Sequence, residues 1–344
     1  MYGFEKRRVQ KTGSSSFIIT LPKDWVDLVK LKSGDYVIVE KLGNKLIITP
    51  PTAEPAQMKT TLIVRPGINS AQILRILLGA YMSGYNIISL VFDTNIQDLA
   101  KLVSEIKNLA RIKLPGMEVI EESSSSLTFK VLLNIQELPL ISAIRRLHVI
   151  VSNMLNDVLR LLDTGDLSIA QIVIQRDDEA DRFHYLIVRE LSMALLDIRV
   201  QHDLGITNIT EVLSYRIVAR NLERIADHAV NIARRILAIK GIKRPEIVRD
   251  YLARDIELFE KAMSALYTLS RKEAEDVIQK VKDHVLEIEE VIYSKLLEAP
   301  IEPREKVTLA MILDSIKRIA RYSNGIAESA LNIKSAKSTE LEIK

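Results

Sequence analysis

The sequence contains no cysteine and few aromatic residues. Among its 344 residues, aromatic side chains make up 5%, with a single Trp. The lack of cysteine excludes disulfide-stabilised folds, thiolate metal sites and cysteine nucleophiles within this chain. Because aromatic residues are scarce, its cores must be built mainly from Leu, Ile, Val and Ala, which favours helical structure.

Long apolar runs are also lacking. The most apolar window, residues 76–92, contains two serines, two glycines and an asparagine, and it is shorter than the roughly 20 apolar residues of a membrane-spanning helix. Four of the first eight residues are charged, and a polar stretch follows them instead of an apolar segment, which is not the pattern of a secretory signal. We therefore expect a cytoplasmic protein without membrane insertion.

Positive charge is concentrated near the start of the chain. The net charge is +3, and residues 1–50 contain nine Lys or Arg against five Asp or Glu, whereas the remainder is almost neutral. A small basic region on a neutral body is typical of proteins that contact nucleic acid at one end. The alternative is an ordinary solvated surface.

Residues 1–50 have the pattern of short strands separated by turns. The pairs Gly34-Asp35 and Gly43-Asn44 mark two turns, and residues 23–30 are compatible with one short helix. About fifty residues of short strands can hardly bury a core alone, so we expect this domain to form a homodimer. Residues 51–57 contain Pro51 and Pro55 and directly follow Pro50. Three prolines within six residues predict a semi-rigid linker.

Residues 58–136 alternate between strand-like and helical patterns. Two strand–helix pairs are followed by a hairpin that closes around the serine run 123–126. We interpret this region as a small α/β sandwich of ferredoxin-like or ACT-like type. It contains no glycine-rich phosphate loop.

From residue 137 onward, apolar residues follow helical spacing. Breaks at Gly165, Gly205, 241–245, Ser270 and 300–303 divide the region into six helices of about 25–30 residues. Long helices with short connections predict a bundle. The third and sixth helices also align with an offset of 94 residues, so we expect two three-helix repeats, residues 137–241 and 242–335, followed by a tail at 336–344.

Acidic residues recur at helical spacing in the first repeat. Glu223 and Asp227 are four residues apart on one helix, and Asp177 and Asp181 form a similar pair on the preceding helix. If the two helices are neighbours, these oxygen ligands converge and suit iron, manganese, magnesium or calcium. Two neighbours are further candidate ligands: Asn231 and His228.

An alternative interpretation treats these acids as a solvated stripe. In that case Glu223 and Asp227 pair with Arg220 and Arg224, which lie at helical spacing on the same face.

The second repeat replaces these acids with cations. Lys317 and Arg321 align with Glu223 and Asp227, and Gly325 aligns with Asn231. We expect the two cations to form salt bridges with Asp283 and Glu287, so these four second-repeat positions should not bind metal.

The five histidines of the chain show no nucleophile–base–acid pattern. We therefore expect that the protein is not an enzyme. They are His148, His184, His202, His228 and His284.

Three segments of the basic region, residues 11–23 (KTGSSSFIITLPK), 31–37 (LKSGDYV) and 46–50 (LIITP), resemble the AbrB/MazE swapped-hairpin DNA-binding domain. The resemblance implies that two chains interleave their hairpins into one barrel, with basic residues near the first strand on DNA. By position, the implied DNA-binding residues are Arg7, Arg8, Lys11, Ser14, Ser16 and Lys23.

Two segments of the helical half, residues 222–232 (LERIADHAVNI) and 177–181 (DDEAD), resemble the PhoU family of phosphate-uptake regulators. This resemblance covers residues 139–334 and implies two three-helix repeats. It also implies that Asp177, Asp181, Glu223 and Asp227 hold iron or another divalent metal, and that a transporter ATPase is a partner.

Together the two resemblances indicate a multidomain α+β protein that regulates phosphate uptake and binds DNA near phosphate-transport genes. The alternative is an adaptor that does not bind DNA, dimerises through the N-terminal domain and modulates a transporter ATPase or signalling protein. A metal-storage protein or metal-dependent enzyme is the third interpretation, and the single acidic cluster gives it the least support.

Overall fold

The computed structural model describes residues 5–42, 44–50, 58–133, 138–243 and 245–337. The chain divides into two compact units between residues 57 and 58. The predicted linker, residues 51–57, lies outside the described residues, as do Gly43 of the second predicted turn and residues 338–344 of the predicted tail.

The first unit consists of two short hairpins and one helix. Its elements are β1 (Gln10–Thr12), β2 (Ser16–Ile18), α1 (Lys23–Leu28), β3 (Ile38–Leu42) and β4 (Lys45–Thr49). β1 pairs with β2 and β3 pairs with β4, both antiparallel, as two separate sheets. The turn between β1 and β2 needs a positive φ of 64° at Gly13, which suits glycine.

The first unit buries almost no apolar surface within one chain. Among its described side chains only Pro50 is buried. Large apolar side chains are exposed on both hairpins and around the helix: Val9, Phe17, Ile18, Ile19, Leu28, Tyr36, Ile38, Val39 and Leu46. The described residues of one chain do not close into a barrel, so the interleaved barrel stays a prediction.

The second unit begins with a four-stranded mixed sheet, referred to below as the small domain. Its elements are β5 (Lys59–Val64), α2 (Ser70–Met82), β6 (Ile87–Phe92), α3 (Leu99–Lys113), β7 (Met117–Glu122) and β8 (Ser126–Val131). The strand order is β5-β6-β8-β7, with β5 parallel to β6 and the other pairs antiparallel. The serine run forms the predicted hairpin turn, where the Ser123 and Ser126 hydroxyls lie 2.7 Å apart.

The ferredoxin-like assignment of this domain is wrong. A ferredoxin-like unit has the order β-α-β-β-α-β, whereas this domain has the order β-α-β-α-β-β with a parallel pair. The physical reason lies in the connections. Each helix follows a strand and crosses to the next, which makes β5 and β6 parallel, and the tight serine turn then forces β7 and β8 to be antiparallel.

The remaining elements are helical. They are α4 (Leu140–Thr164), α5 (Leu167–Leu196), α6 (Ile198–Asp203), α7 (Glu211–Ala238), α8 (Glu246–Thr268), α9 (Arg271–Glu290), a π-helical segment (Val291–Lys295), α10 (Leu296–Glu298) and α11 (Pro303–Lys337). Within the described part of the chain, no helix is long and apolar enough to cross a membrane.

The predicted helix breaks are confirmed, but the predicted lengths are only approximate. α4 ends where Gly165 takes a φ of 69° and its N–H donates to the Leu161 carbonyl, as a glycine C-cap does. α5 ends at Leu196, before the predicted break at Gly205, because the Asp197 carboxylate caps the short α6. α11 has 35 residues and continues through the first two residues of the predicted tail.

The corresponding helices of the two repeats, α7 and α11, pack against each other at the centre of the bundle. α7 also packs on α4 and α5, and α11 packs on α8 and α9. Gly325 of α11 lies against Asn221 of α7, where an added Cβ would be 2.5 Å from the Asn221 Nδ2 atom. Glycine at this position therefore allows the two central helices to approach closely.

We predict that Gly325→Ala lowers the free energy of unfolding by about 1 kcal/mol, because the new methyl group overpacks the contact with Asn221. Gly79→Ala in α2 is the matched control, since a Cβ there meets open space. It should raise the stability by about 0.5–1 kcal/mol through the lower backbone entropy of alanine in the unfolded chain. Urea unfolding followed by circular dichroism measures both, and equal gains would contradict the close contact.

Candidate functional site

Four carboxylates of α5 and α7 form what is called here the acidic cluster: Asp177, Asp181, Glu223 and Asp227. The two helices pack side by side, and the four carboxylates interact electrostatically across that contact. The structure therefore brings together the four residues that the sequence singled out.

The environment of the acidic cluster disfavours negative charge. Burial raises the pKa of Asp177 to about 6, and the neighbouring Asp181 and Asp227 carboxylates add to this. Burial likewise raises the pKa of Glu223 to about 7, with Asp227 as the next contributor. The cluster is thus a partly buried region of crowded negative charge, which attracts cations.

Arginines of α7 pair with the two acids of the same helix. Arg220 Nη1 lies 3.1 Å from both carboxylate oxygens of Glu223, and Arg224 Nη1 lies 2.9 Å from Asp227 Oδ2. The ion pairs of the alternative interpretation are therefore confirmed, although Glu223 is more buried than a solvated stripe requires.

A lysine from the small domain also reaches the cluster. Lys113, the last residue of α3, places its Nζ 2.8 Å from Asp181 Oδ2 and 2.6 Å from Asp178 Oδ1. Sequence reasoning missed this residue, because Lys113 lies 68 positions before Asp181 and belongs to the small domain rather than to the helical bundle. No local spacing could have linked the two.

The donor set of the acidic cluster fits a hard cation, because it consists of carboxylate oxygens in a region of excess negative charge. Within the described ranges, however, no three Asp, Glu or His side chains are grouped as ready ligands for a metal ion. Three of the four acids instead contact Lys113, Arg220 or Arg224. Metal binding by the predicted ligands stays a prediction.

The two additional candidate ligands lie beside the cluster on α7. The His228 ring stacks on Tyr322 of α11 at 5.8 Å, and its buried Nδ1 atom has no hydrogen-bond partner. Burial, helped by Arg318, lowers the pKa of His228 to about 4, so the imidazole is neutral at pH 7. Asn231 is half-buried one turn further along.

The second-repeat cations form ion pairs, but not with the partners expected from the alignment. Lys317 and Arg321 both contact Glu289 at 3.3 Å, whereas Glu287 pairs with Arg254 of α8. The expected pairing with Asp283 and Glu287 is therefore wrong. The reason is helical rotation, since Glu289 lies about 200° around α9 from Glu287 and faces α11 while Glu287 faces α8.

Two arginines of α5 hold the carboxyl ends of both small-domain helices. Arg182 donates to the carbonyls of Arg111 and Ile112 in the last turn of α3. Arg189 donates to the carbonyls of Tyr81 and Tyr85 at 2.8 and 2.7 Å, at the end of α2. Cations are favourable at these positions because the last carbonyls of a helix lack intrahelical partners and carry its negative dipole end.

The candidate DNA-binding residues lie on the first hairpin and next to it. Lys11 is in β1, Ser14 in the turn and Ser16 in β2. Arg7 and Arg8 immediately precede β1, and Lys23 begins α1. All six side chains are exposed, and Arg7 forms an ion pair with Glu5.

Comparison with known proteins identifies two family regions. The PhoU domain family matches residues 144–236, and the family described as antidote-toxin recognition MazE, bacterial antitoxin, matches residues 10–56. The two matches lie in the helical half of the chain and in its N-terminal unit, respectively. The chain therefore contains a region similar to the PhoU domain and an N-terminal region similar to MazE antitoxins.

The matched relatives bear a phosphate-transport name. A phosphate-specific transport system accessory protein PhoU homolog of Clostridium acetobutylicum is 22% identical over 206 residues, which is 58% of this chain and 93% of the relative. A PhoU homolog of Caulobacter vibrioides is 41% identical over 92 residues, which is 26% of this chain and 36% of that relative.

Two crystal structures are also similar to this chain. PhoU from Streptococcus pneumoniae has a TM-score of 0.47 at 18% identity, covering 59% of this chain and 96% of that structure. PhoU from Pseudomonas aeruginosa has a TM-score of 0.45 at 17% identity, covering 57% and 95% respectively.

The last feature of the contact between α5 and the small domain is a buried acid, Glu190. Its side chain follows Arg189 and is almost fully buried, and its Oε2 atom has no hydrogen-bond partner. Burial raises its pKa from 4.5 to about 8. Between these two values the folded protein holds a proton that the unfolded chain has lost, so stability falls as the pH rises through this window.

We predict that Glu190→Gln stabilises the protein at pH 8.5 by about 1 kcal/mol or more, because the amide removes the cost of ionising a buried carboxyl. The difference from the unmodified protein should vanish near pH 4.5. Thermal unfolding across this pH range is the measurement. Glu257→Gln, at an exposed position of α8, controls for the loss of one acid, and a pH-independent effect of Glu190→Gln would contradict the prediction.

Proposed function

We propose that the protein regulates phosphate uptake in response to phosphate and binds DNA directly through residues 1–50. The observation that carries this proposal is the combination in one chain of an exposed basic hairpin, matched to MazE antitoxins, with a PhoU domain whose relatives are named phosphate-transport accessory proteins. The accessory-protein names of its relatives support a regulatory or accessory role for this chain rather than a catalytic one.

Dimerisation through the first unit is part of the proposal. Among the described residues of the first unit, a single copy leaves nine large apolar side chains exposed, which is far more than a stable isolated domain leaves in water. A second copy with the same apolar hairpins would cover them symmetrically. The interleaved barrel implied by the MazE-like sequence would bury them in this way and present the basic residues of both chains together.

DNA contact would be carried by the six candidate residues of the first hairpin and its surroundings. Cationic side chains on phosphates release counterions, so affinity should fall steeply with salt concentration. The helical unit would relay phosphate status by changing the relative placement of the two DNA-binding units, and hence their fit to an operator near phosphate-transport genes.

A cation at the acidic cluster is a further part of the proposal. Iron or another divalent metal would be held by Asp177, Asp181, Glu223 and Asp227, whose oxygen donors and crowded charge suit a hard cation. The bound charge would offset the mutual repulsion of these carboxylates.

The alternative proposal is an adaptor that does not bind DNA. The exposed apolar hairpins favour it, since they account for the first unit as a dimerisation module without any DNA contact. In that case the PhoU domain would bind a transporter ATPase or a signalling protein, and the basic residues would be dispensable.

We predict that the double variant Arg8→Ala/Lys11→Ala weakens DNA binding at least about tenfold, because two phosphate contacts are lost. Each lost contact should also lower the slope of log Kd against log salt concentration by about one. Fluorescence anisotropy of the full chain on a duplex from a phosphate-transport promoter, at two salt concentrations, measures both quantities.

Lys41→Ala/Lys45→Ala is the matched control for this experiment, because it removes the same charge from exposed positions of the other hairpin. It should retain nearly full affinity. Absence of binding by the unmodified chain at low salt, or equal affinity for a scrambled duplex, would favour the adaptor.

We predict that Val39→Asp converts the dimer to a monomer at micromolar concentration. Val39 is 52% exposed in one chain and lies opposite Ile48 across the second hairpin, so a carboxylate there would be buried unpaired in the dimer. Light scattering after size exclusion measures the mass. Leu213→Asp, at a 67% exposed position of α7, should stay dimeric, and the reverse pattern would place the interface on the helical unit.

A further inference from the structure

β5 is an edge strand of the small domain, and among the described strands it pairs only with β6. The carbonyls of Met58 and Val64 accept hydrogen bonds from backbone N–H groups at the two ends of β6. Successive residues of a strand direct their backbone groups to opposite edges. The N–H and C=O groups of Lys59, Thr61 and Ile63 therefore point away from β6.

The two edges of this sheet differ in how they resist further pairing. β7, at the other edge, has a register irregularity between Val119 and Glu121 and carries two more glutamates, Glu118 and Glu122. Bulges and charges of this kind protect an edge from additional strands. β5 has six residues without proline, an unbroken register with β6 and a single charged residue, Lys59, at its start. It is therefore the open edge of the sheet.

The backbone of β5 is complementary to a second, antiparallel copy of itself. When Thr61 lies opposite Thr61 of the second copy, Lys59 of each chain lies opposite Ile63 of the other. All three outward-facing residues are then in hydrogen-bonded pairs, in which opposite residues exchange both backbone bonds. Any shift of this register leaves at least one of the three without an opposite residue in β5. The arrangement has the two-fold symmetry of an isologous interface.

The side chains on the exposed face of β5 fit the same register. Ile63 is 71% exposed in one chain. Opposite Lys59 of the second copy, it would be covered in part by the aliphatic stem of that lysine. The two threonines at the centre form a cross-strand pair of a favourable type.

The position of β5 in the chain supports a second copy as the partner. It is the first element after the linker that follows the first unit. Dimerisation through the first unit would therefore keep two β5 strands on one assembly and raise their local concentration. A contact of two short strands, which is too small to hold a free dimer, can form under that condition.

We propose that β5 is an interaction edge for a second copy of this chain, and that two small domains join there through an antiparallel contact centred on Thr61. The contact links the second units of both chains next to their linkers, and so gives the proposed relay a physical connection. This inference rests on the proposed dimerisation through the first unit and is independent of DNA binding.

The first test is a disulfide at the centre of the contact. The chain contains no cysteine, and the Cα atoms of a hydrogen-bonded pair are about 5.5 Å apart, which a disulfide can span. The full-length Thr61→Cys variant should therefore form a covalent dimer in a glutathione buffer, seen on a non-reducing gel. Glu121→Cys is the matched control, because Glu121 lies in the same row of the sheet on β7, and it should remain uncross-linked.

The second test compares two charges at Ile63 in the Thr61→Cys chain. Ile63→Lys places like charges opposite each other at Lys59 of the second copy, whereas Ile63→Glu places opposite charges there. The effective concentration of the disulfide should be about threefold or more higher for the glutamate variant than for the lysine variant. The exposure of Ile63 means that neither change should alter the circular dichroism of the chain. Equal values for the two variants would overturn the proposed register.

Light scattering on the same samples separates this proposal from dimerisation through the first unit. A dimeric mass without cross-linking of Thr61→Cys would overturn the β5 contact and leave the first-unit dimer intact. A monomeric mass without cross-linking would overturn both. Val39→Asp should lower the mass and the cross-linking of Thr61→Cys together, because the β5 contact needs the raised local concentration.

Discussion

The contact between α7 and α11 is the packing interaction on which the helical unit depends. The two central helices bury apolar faces against each other, and Gly325 permits their close approach beside Asn221. Since α11 and α4 occupy other sides of α7, Glu223 and Asp227 lie on the side of α7 that meets α5. Packing in the core thus determines where Glu223 and Asp227 lie, and with them the acidic cluster.

Charge neutralisation is the second organising feature. Partly buried carboxylates are costly unless cations lie nearby. The fold supplies two kinds of cation, arginines of the same helix and a lysine of the small domain. The proposed metal ion would be a third. The second repeat has the same helical scaffold but carries its own cations, Lys317 and Arg321, paired with Glu289. The two repeats therefore share packing and differ in charge.

The small domain is bound to the bundle through polar contacts at the ends of its helices. Arg182 and Arg189 of α5 each bind helix-terminal carbonyls, and Lys113 binds carboxylates of α5. Directional contacts of this kind fix the orientation of the small domain on α5. The first unit differs, because its large apolar side chains are exposed in a single chain.

Local patterns in the sequence determined the helix breaks, the serine hairpin and the carboxylate pairs at i and i+4, since caps, turns and helical spacing depend on neighbouring residues only. The salt-bridge partners of Lys317 and Arg321 were predicted wrongly, because the rotation of α9 is set by packing on two other helices. The patterns along the chain correctly indicated two strand–helix pairs and a hairpin, an order that the ferredoxin-like assignment does not have; only the pairing of the strands had to come from the tertiary structure. Lys113 reached Asp181 only through tertiary structure, which alone decides the distance between residues far apart in the chain.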